Sequence, residues 1–139
     1  MLAETSTYPP PAEVGSTRST RILGYIVAVL LGLLFGILGT VVHQIAFSLF
    51  GLFDVPIGLV LALAATAMLL VGLRLVVPSR LAAVFASVAV VGIVSLFSLP
   101  STGGSTLIAA TPVGMVWVLG VTLVAVVVLA WPKPAPQKK

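Results

Sequence analysis

The 139-residue chain has no cysteine and no asparagine, one histidine, and three acidic residues. Each shortage removes a class of chemistry. Without cysteine there is no disulfide, no thiolate nucleophile and no iron–sulfur ligation. Without asparagine there is no N-glycosylation acceptor. Glu4 and Glu13 stand near the N-terminus, which leaves Asp54 as the one acid near the apolar segments. Paired carboxylates, a Ser-His-Asp arrangement and a multi-histidine metal site are not available from this inventory. A haem held by two histidines would need a second copy of the chain to supply another His43. No Gly-rich phosphate loop carries a Lys and Ser/Thr in register. The expectation is therefore no catalytic residue, no cofactor and no metal, and a protein that is not an enzyme.

Charge is equally scarce. Charged residues make up 7% of the chain and hydrophobic residues 60%, whereas a soluble domain carries roughly 25% charged residues. A water-soluble fold of this size would have almost nothing polar to cover its surface. The composition predicts an integral membrane protein whose first partner is the lipid bilayer. The net charge of +4 is not read as a nucleic-acid footprint, because the basic residues flank apolar segments instead of forming a patch. They suit the anionic headgroups of a cytoplasmic leaflet.

What the chain does have is four long apolar segments, at about residues 22–45, 55–77, 80–99 and 112–131. Crossing the hydrocarbon takes about 20 residues of helix. Start signals accompany them: Ser19 or Thr20 before the first, Asp54 with Pro56 at the second, Ser79 at the third, Thr111-Pro112 at the fourth. The short Pro78-Ser79 connection predicts an antiparallel hairpin of spans two and three. Between spans one and two, the stretch 47–53 holds three phenylalanines at an outer interface. The fold class expected is all-α, a four-helix membrane bundle over residues 22–131. A disordered tail with Pro9, Pro10 and Pro11 precedes it at 1–21, and a Pro/Lys-rich tail follows at 132–139.

The basic residues orient this bundle. Arg18, Arg21, Arg74, Arg80, Lys133, Lys138 and Lys139 all fall on one side of a four-span threading. The two loops on the other side carry Asp54 alone. Basic residues mark the cytoplasmic side, so the chain is expected to be multi-pass in the plasma membrane with both termini cytoplasmic. Three or five spans would separate the arginines from the lysines. Arg74 is expected to reach the headgroups by extending its stem, and Trp131 to mark the inner interface.

Two groups of residues are candidates for function. Gly32, Gly36 and Thr40 continue a four-residue ladder from Gly24 and Ala28, and small residues let helices approach closely in lipid. The ladder serves either a homodimer or partner interface, or packing within the bundle; the second is the commoner use of such patterns. His43 and Gln44, near the outer end of span one, form with Asp54 an outer polar cluster. It reads as a proton relay, pH sensor or transport site, or as headgroup-level residues bonded to water. A span starting at Ile22 leaves the bilayer core near Val42, which favours the second reading. Small four-span multidrug exporters use a glutamate in the first span, and four-span fluoride channels depend on asparagine; this chain has neither.

The order of Tyr25, the glycines through Gly39, Gln44, Pro56-Ile-Gly58, Leu61-Ala62-Leu63 and Gly72-Leu-Arg74 continues with a Gly-rich third loop and Gly114. This pattern resembles an uncharacterised family of small actinobacterial membrane proteins, defined as a domain of unknown function, over about residues 21–131. The resemblance implies four spans and an actinobacterial inner membrane, and supplies no activity. That family often carries charges in the loop between spans three and four, where Pro100–Ser105 is neutral. Together these readings predict a non-enzymatic membrane protein that packs with itself or as a small accessory component of a membrane complex. The alternative is a small transporter or channel using His43, Gln44 and Asp54.

Overall fold

Three of the four helix starts are set by hydroxyls that take up backbone N–H groups of the first turn, which have no partner within the helix. The computed structural model describes residues 17–132; of the tails expected at 1–21 and 132–139, residues 1–16 and 133–139 lie outside these. Thr17 accepts a bond from the Thr20 N–H, so α1 runs Arg18–Val42. The cap lies ahead of Ser19 and Thr20, and residues 18–21 are helical where a tail was expected. α2 spans Ile57–Val76, α3 Arg80–Ser98 and α4 Pro112–Ala130. Ser79 caps α3 by accepting from Leu81 N–H, and Thr111 caps α4 by accepting from Gly114 N–H, with Pro112 as the first residue. All four helices are long and apolar enough to cross a membrane.

The start of α2 departs from expectation. Asp54 does not cap it; Pro56 occupies the cap position and offers no side-chain bond. The Gly58 N–H donates instead to the Ile45 carbonyl at 2.9 Å. Asp54 belongs to a short antiparallel ribbon, β1 (Phe47–Leu49) and β2 (Phe53–Val55), in which Phe47 faces Val55, Ser48 faces Asp54 and Leu49 faces Phe53. Aromatic and β-branched residues suit a strand, and three-residue strands are too short to announce themselves by alternation.

The helices form a ring in the order α1–α2–α4–α3, with α1 and α3 in the most extensive contact. That pair is parallel and in register. Tyr25 meets Ser79, Gly32 meets Ala86 and Gly36 meets Val90, each fifty-four residues apart. Close approach explains the pairing: a methyl group at Gly32 would overlap the Ala86 carbonyl, and one at Gly36 the Ile93 side chain. α2 and α3 are antiparallel, but α3 finds its main partner in α1, because the small faces of those two helices match. One core cluster holds Leu59, Ala62, Val90, Val94, Ile108, Trp117 and Val121; the other holds Ala28, Leu70, Ala82, Ala86, Ala125 and Val128.

Gly32→Ala is expected to destabilise the bundle by about 1–3 kcal/mol through overpacking, measured by reversible denaturation in mixed micelles. Gly92→Ala, where the new methyl group meets nothing within 4 Å, is expected to be neutral or mildly stabilising.

Candidate functional site

α1 ends at Val42, immediately before the chain's one histidine. His43 is the C-cap, its N–H donating to the Gly39 carbonyl at 2.8 Å. The imidazole folds back along the helix, with Nδ1 2.6 Å from the Thr40 carbonyl oxygen. A carbonyl only accepts, so Nδ1 carries the proton and, in the neutral ring, Nε2 holds the bare lone pair. His43 is 1% exposed, and Nε2 has no hydrogen-bond partner among the described residues.

The wall over this imidazole comes from the diagonally opposite helix. Trp117 of α4 is fully buried and stacks on His43, with ring centroids 5.8 Å apart and planes at 15°. Its Nε1–H donates to the Thr40 hydroxyl at 3.3 Å, and that hydroxyl donates to the Gly36 carbonyl at 2.7 Å. Gly39 makes room for the indole: any side chain there would overlap the six-membered ring. Gly36, Gly39, Thr40, His43 and Trp117 thus form one linked node between α1 and α4.

The sequence-level cluster is divided among different surroundings. His43 is buried against Trp117 instead of hydrated, because α1 stops at Val42 and the ring turns inward under the indole. Gln44 is exposed. Asp54 is exposed on β2 and accepts a bond from the Ser48 hydroxyl, not from His43. A cleft of ≈570 Å³ between the end of α3 and the following loop, lined by Phe97, Ser101 and Thr106 among others, includes none of the three. Gly32 and Gly36 face α3, and Thr40 faces Trp117.

Trp117 is the member of the node that the sequence reading missed. The available signal was a large residue with a polar N–H as the one aromatic within α4; such an N–H needs an acceptor when buried.

At the other end of the bundle, Arg74 is 9% exposed and donates to the Val128 carbonyl in the last turn of α4. It does not simply extend towards headgroups. The end of a helix carries partial negative charge on its unpaired carbonyls, and a cation there is stabilising. Tyr25 and Ser79 share a hydroxyl–hydroxyl bond of 3.3 Å at this same end, where Tyr25 also packs on Phe85. Arg18, Arg21, Arg74 and Arg80 all lie on helix ends that meet here, while His43 and Asp54 lie at the opposite end.

Four apolar helices, outward-facing leucines and valines, and a core closed by small residues define a multi-pass membrane protein. The chain belongs to a family of unknown function, DUF6113, whose model matches residues 8–138. The match fits the resemblance to a domain of unknown function and extends past the helices at both ends. No curated protein and no solved structure matches the chain.

With Trp131→Phe leaving Trp117 as the sole tryptophan, emission is expected to be blue-shifted and shielded from iodide. His43→Ala should shift it to the red and admit the quencher. Arg74→Leu should cost up to about 2 kcal/mol by uncapping α4, and Arg74→Lys should recover part of that loss in the same denaturation assay.

Proposed function

We propose that the protein is a non-enzymatic component of the cell membrane, with both termini in the cytoplasm, acting by packing with a second copy of itself or within a larger membrane complex. The observation that carries this reading is that several polar side chains of the helices bond to the bundle's own backbone. Thr40 bonds to the Gly36 carbonyl, Thr66 to Ala62, Ser98 to Val94 and Thr122 to Val118, each four residues back. Arg74 bonds to Val128 and His43 to Thr40. These groups serve the bundle's own backbone, as expected of side chains that reduce the cost of burying polar atoms in lipid. Exposed Gly92 and Ser95, three residues apart on α3, offer a further helix a low surface to lie against.

The orientation rests on the gathering of Arg18, Arg21, Arg74 and Arg80 at one end of the bundle. Positive residues retained on the cytoplasmic side put both helix-bearing termini there. A transport role would need His43 and Asp54 along one aqueous path, and their hydrogen bonds lead elsewhere.

Purification in mild detergent from native expression should yield a homo-oligomer or a reproducible membrane-protein companion; a lone monomer would overturn the reading. Proteoliposome flux that falls in both His43→Ala and Asp54→Ala would decide for transport instead. A C-terminal reporter fusion should read out on the cytoplasmic side.

A further inference from the structure

The ribbon between α1 and α2 is the part of the described chain that internal packing does not explain. Phe50 is 91% exposed, Leu52 79%, Phe53 65% and Phe47 64%. Opposed residues in an antiparallel pair point to the same side. Phe47 with Val55 and Leu49 with Phe53 therefore form one apolar face, and Ser48 with Asp54 form the other, joined by their own hydrogen bond. The turn is closed by Leu52 N–H donating to the Leu49 carbonyl at 3.1 Å, with Phe50 at φ 55° and Gly51 at φ 71°. Glycine, asparagine and aspartate are the residues that suit positive φ in such turns; a bulky residue there is an outlier. In water, this position would be unfavourable for phenylalanine twice over, by backbone conformation and by ring exposure.

We propose that the Phe47–Val55 hairpin beds its apolar face and its Phe50 tip into the interfacial layer of the bilayer, in the leaflet at the His43 end, with Ser48 and Asp54 turned towards water. The inference rests on reading the four helices as spans. Its occupant is lipid, for three reasons. The hairpin continues from Val41 and Ile45 on one side and Ile57 on the other, all outward-facing apolar residues, so its apolar face prolongs the lipid-facing belt. Its two strands pair only with each other, and open strand edges are not tolerated within hydrocarbon; this sets the depth at the headgroups. Asp54 is its single charge, and among the described residues no Lys or Arg lies at this end of the bundle, which matches zwitterionic headgroups over anionic ones.

The absence of native cysteine makes the test direct, because one introduced cysteine carries one label. Phe50→Cys and Leu52→Cys, spin-labelled in phosphatidylcholine nanodiscs, are compared for access to oxygen and to a water-soluble nickel chelate. Leu34→Cys, on the outward face of α1, serves as the lipid reference, and Thr102→Cys in the α3–α4 loop as the aqueous one. The expected result is several-fold greater oxygen access and several-fold lower nickel access at both hairpin sites than at Thr102. Leu52→Cys retains the Phe50 ring; adding Phe50→Asn, which suits the turn, should move that label towards nickel. Nickel access equal to that at Thr102 would overturn the proposal in favour of an aqueous loop. Exclusion of both reagents would overturn it in favour of a protein-covered surface. A Leu34 label open to nickel would remove the spanning premise itself.

Discussion

The bundle depends on how closely α1 and α3 can approach. Lipid is as apolar as leucine, so burying leucine against leucine gains little within a membrane, and association must come from packing and hydrogen bonds. Gly32 and Gly36 allow the Ala86 and Val90 turns of α3 to sit against the α1 backbone. The constant register of that pair then places Tyr25 beside Ser79 at one end. The node at Gly39 and Thr40 builds on the same α1 surface, where removal of side-chain bulk opens a slot for an indole. A single face of one helix therefore meets two others, α3 through its glycines and α4 through Trp117.

Most of the architecture was legible in the sequence because hydropathy and helix-start chemistry are local properties. Ser79, Thr111 and Pro112 mark starts that the structure uses as written. Asp54 misled because an acid two residues before a proline has the pattern of a cap, whereas strand pairing with Ser48 claims it first. The cap at Thr17 instead of Ser19 or Thr20 has a related reason: Ser16, Thr17, Ser19 and Thr20 all satisfy the local rule, and only the three-dimensional turn selects one. The His43 site was half legible. Its position near the end of a span could be read, but burial by Trp117, seventy-four residues along the chain, is a tertiary event with no local trace. Arg74 shows the same limit, since its acceptor at Val128 belongs to a helix remote in sequence.

Polarity and charge are separated along the bundle axis, and each end uses its polar groups differently. At the arginine end, Arg74 ties α2 to the terminal carbonyls of α4 while Arg80 stays exposed at the start of α3. At the other end Asp54 is the one acid, and the loop between α3 and α4 is rich in serine, threonine and glycine. Ser101 there bonds to Ser105 through both backbone and side chain, so the loop between α3 and α4 holds its shape without ions. At the arginine end one cation meets the last turn of α4, and at the other hydroxyls hold the turn geometry.

The Trp117 slot also has a consequence for biosynthesis. Synthesis proceeds from the N-terminus, so α1, α2 and α3 emerge before the residue that closes the slot exists. During that interval the Thr40 hydroxyl and the His43 ring lack their indole cover, and the diagonal of the ring is open. The fourth helix is then a keystone inserted into a partly built arch: its arrival satisfies the Trp117 N–H, covers His43 and, through Val128, receives Arg74 at the opposite end. The first three helices alone leave Arg74 without its Val128 acceptor and the His43 ring without its indole cover, so both ends of the bundle are completed by the same late segment.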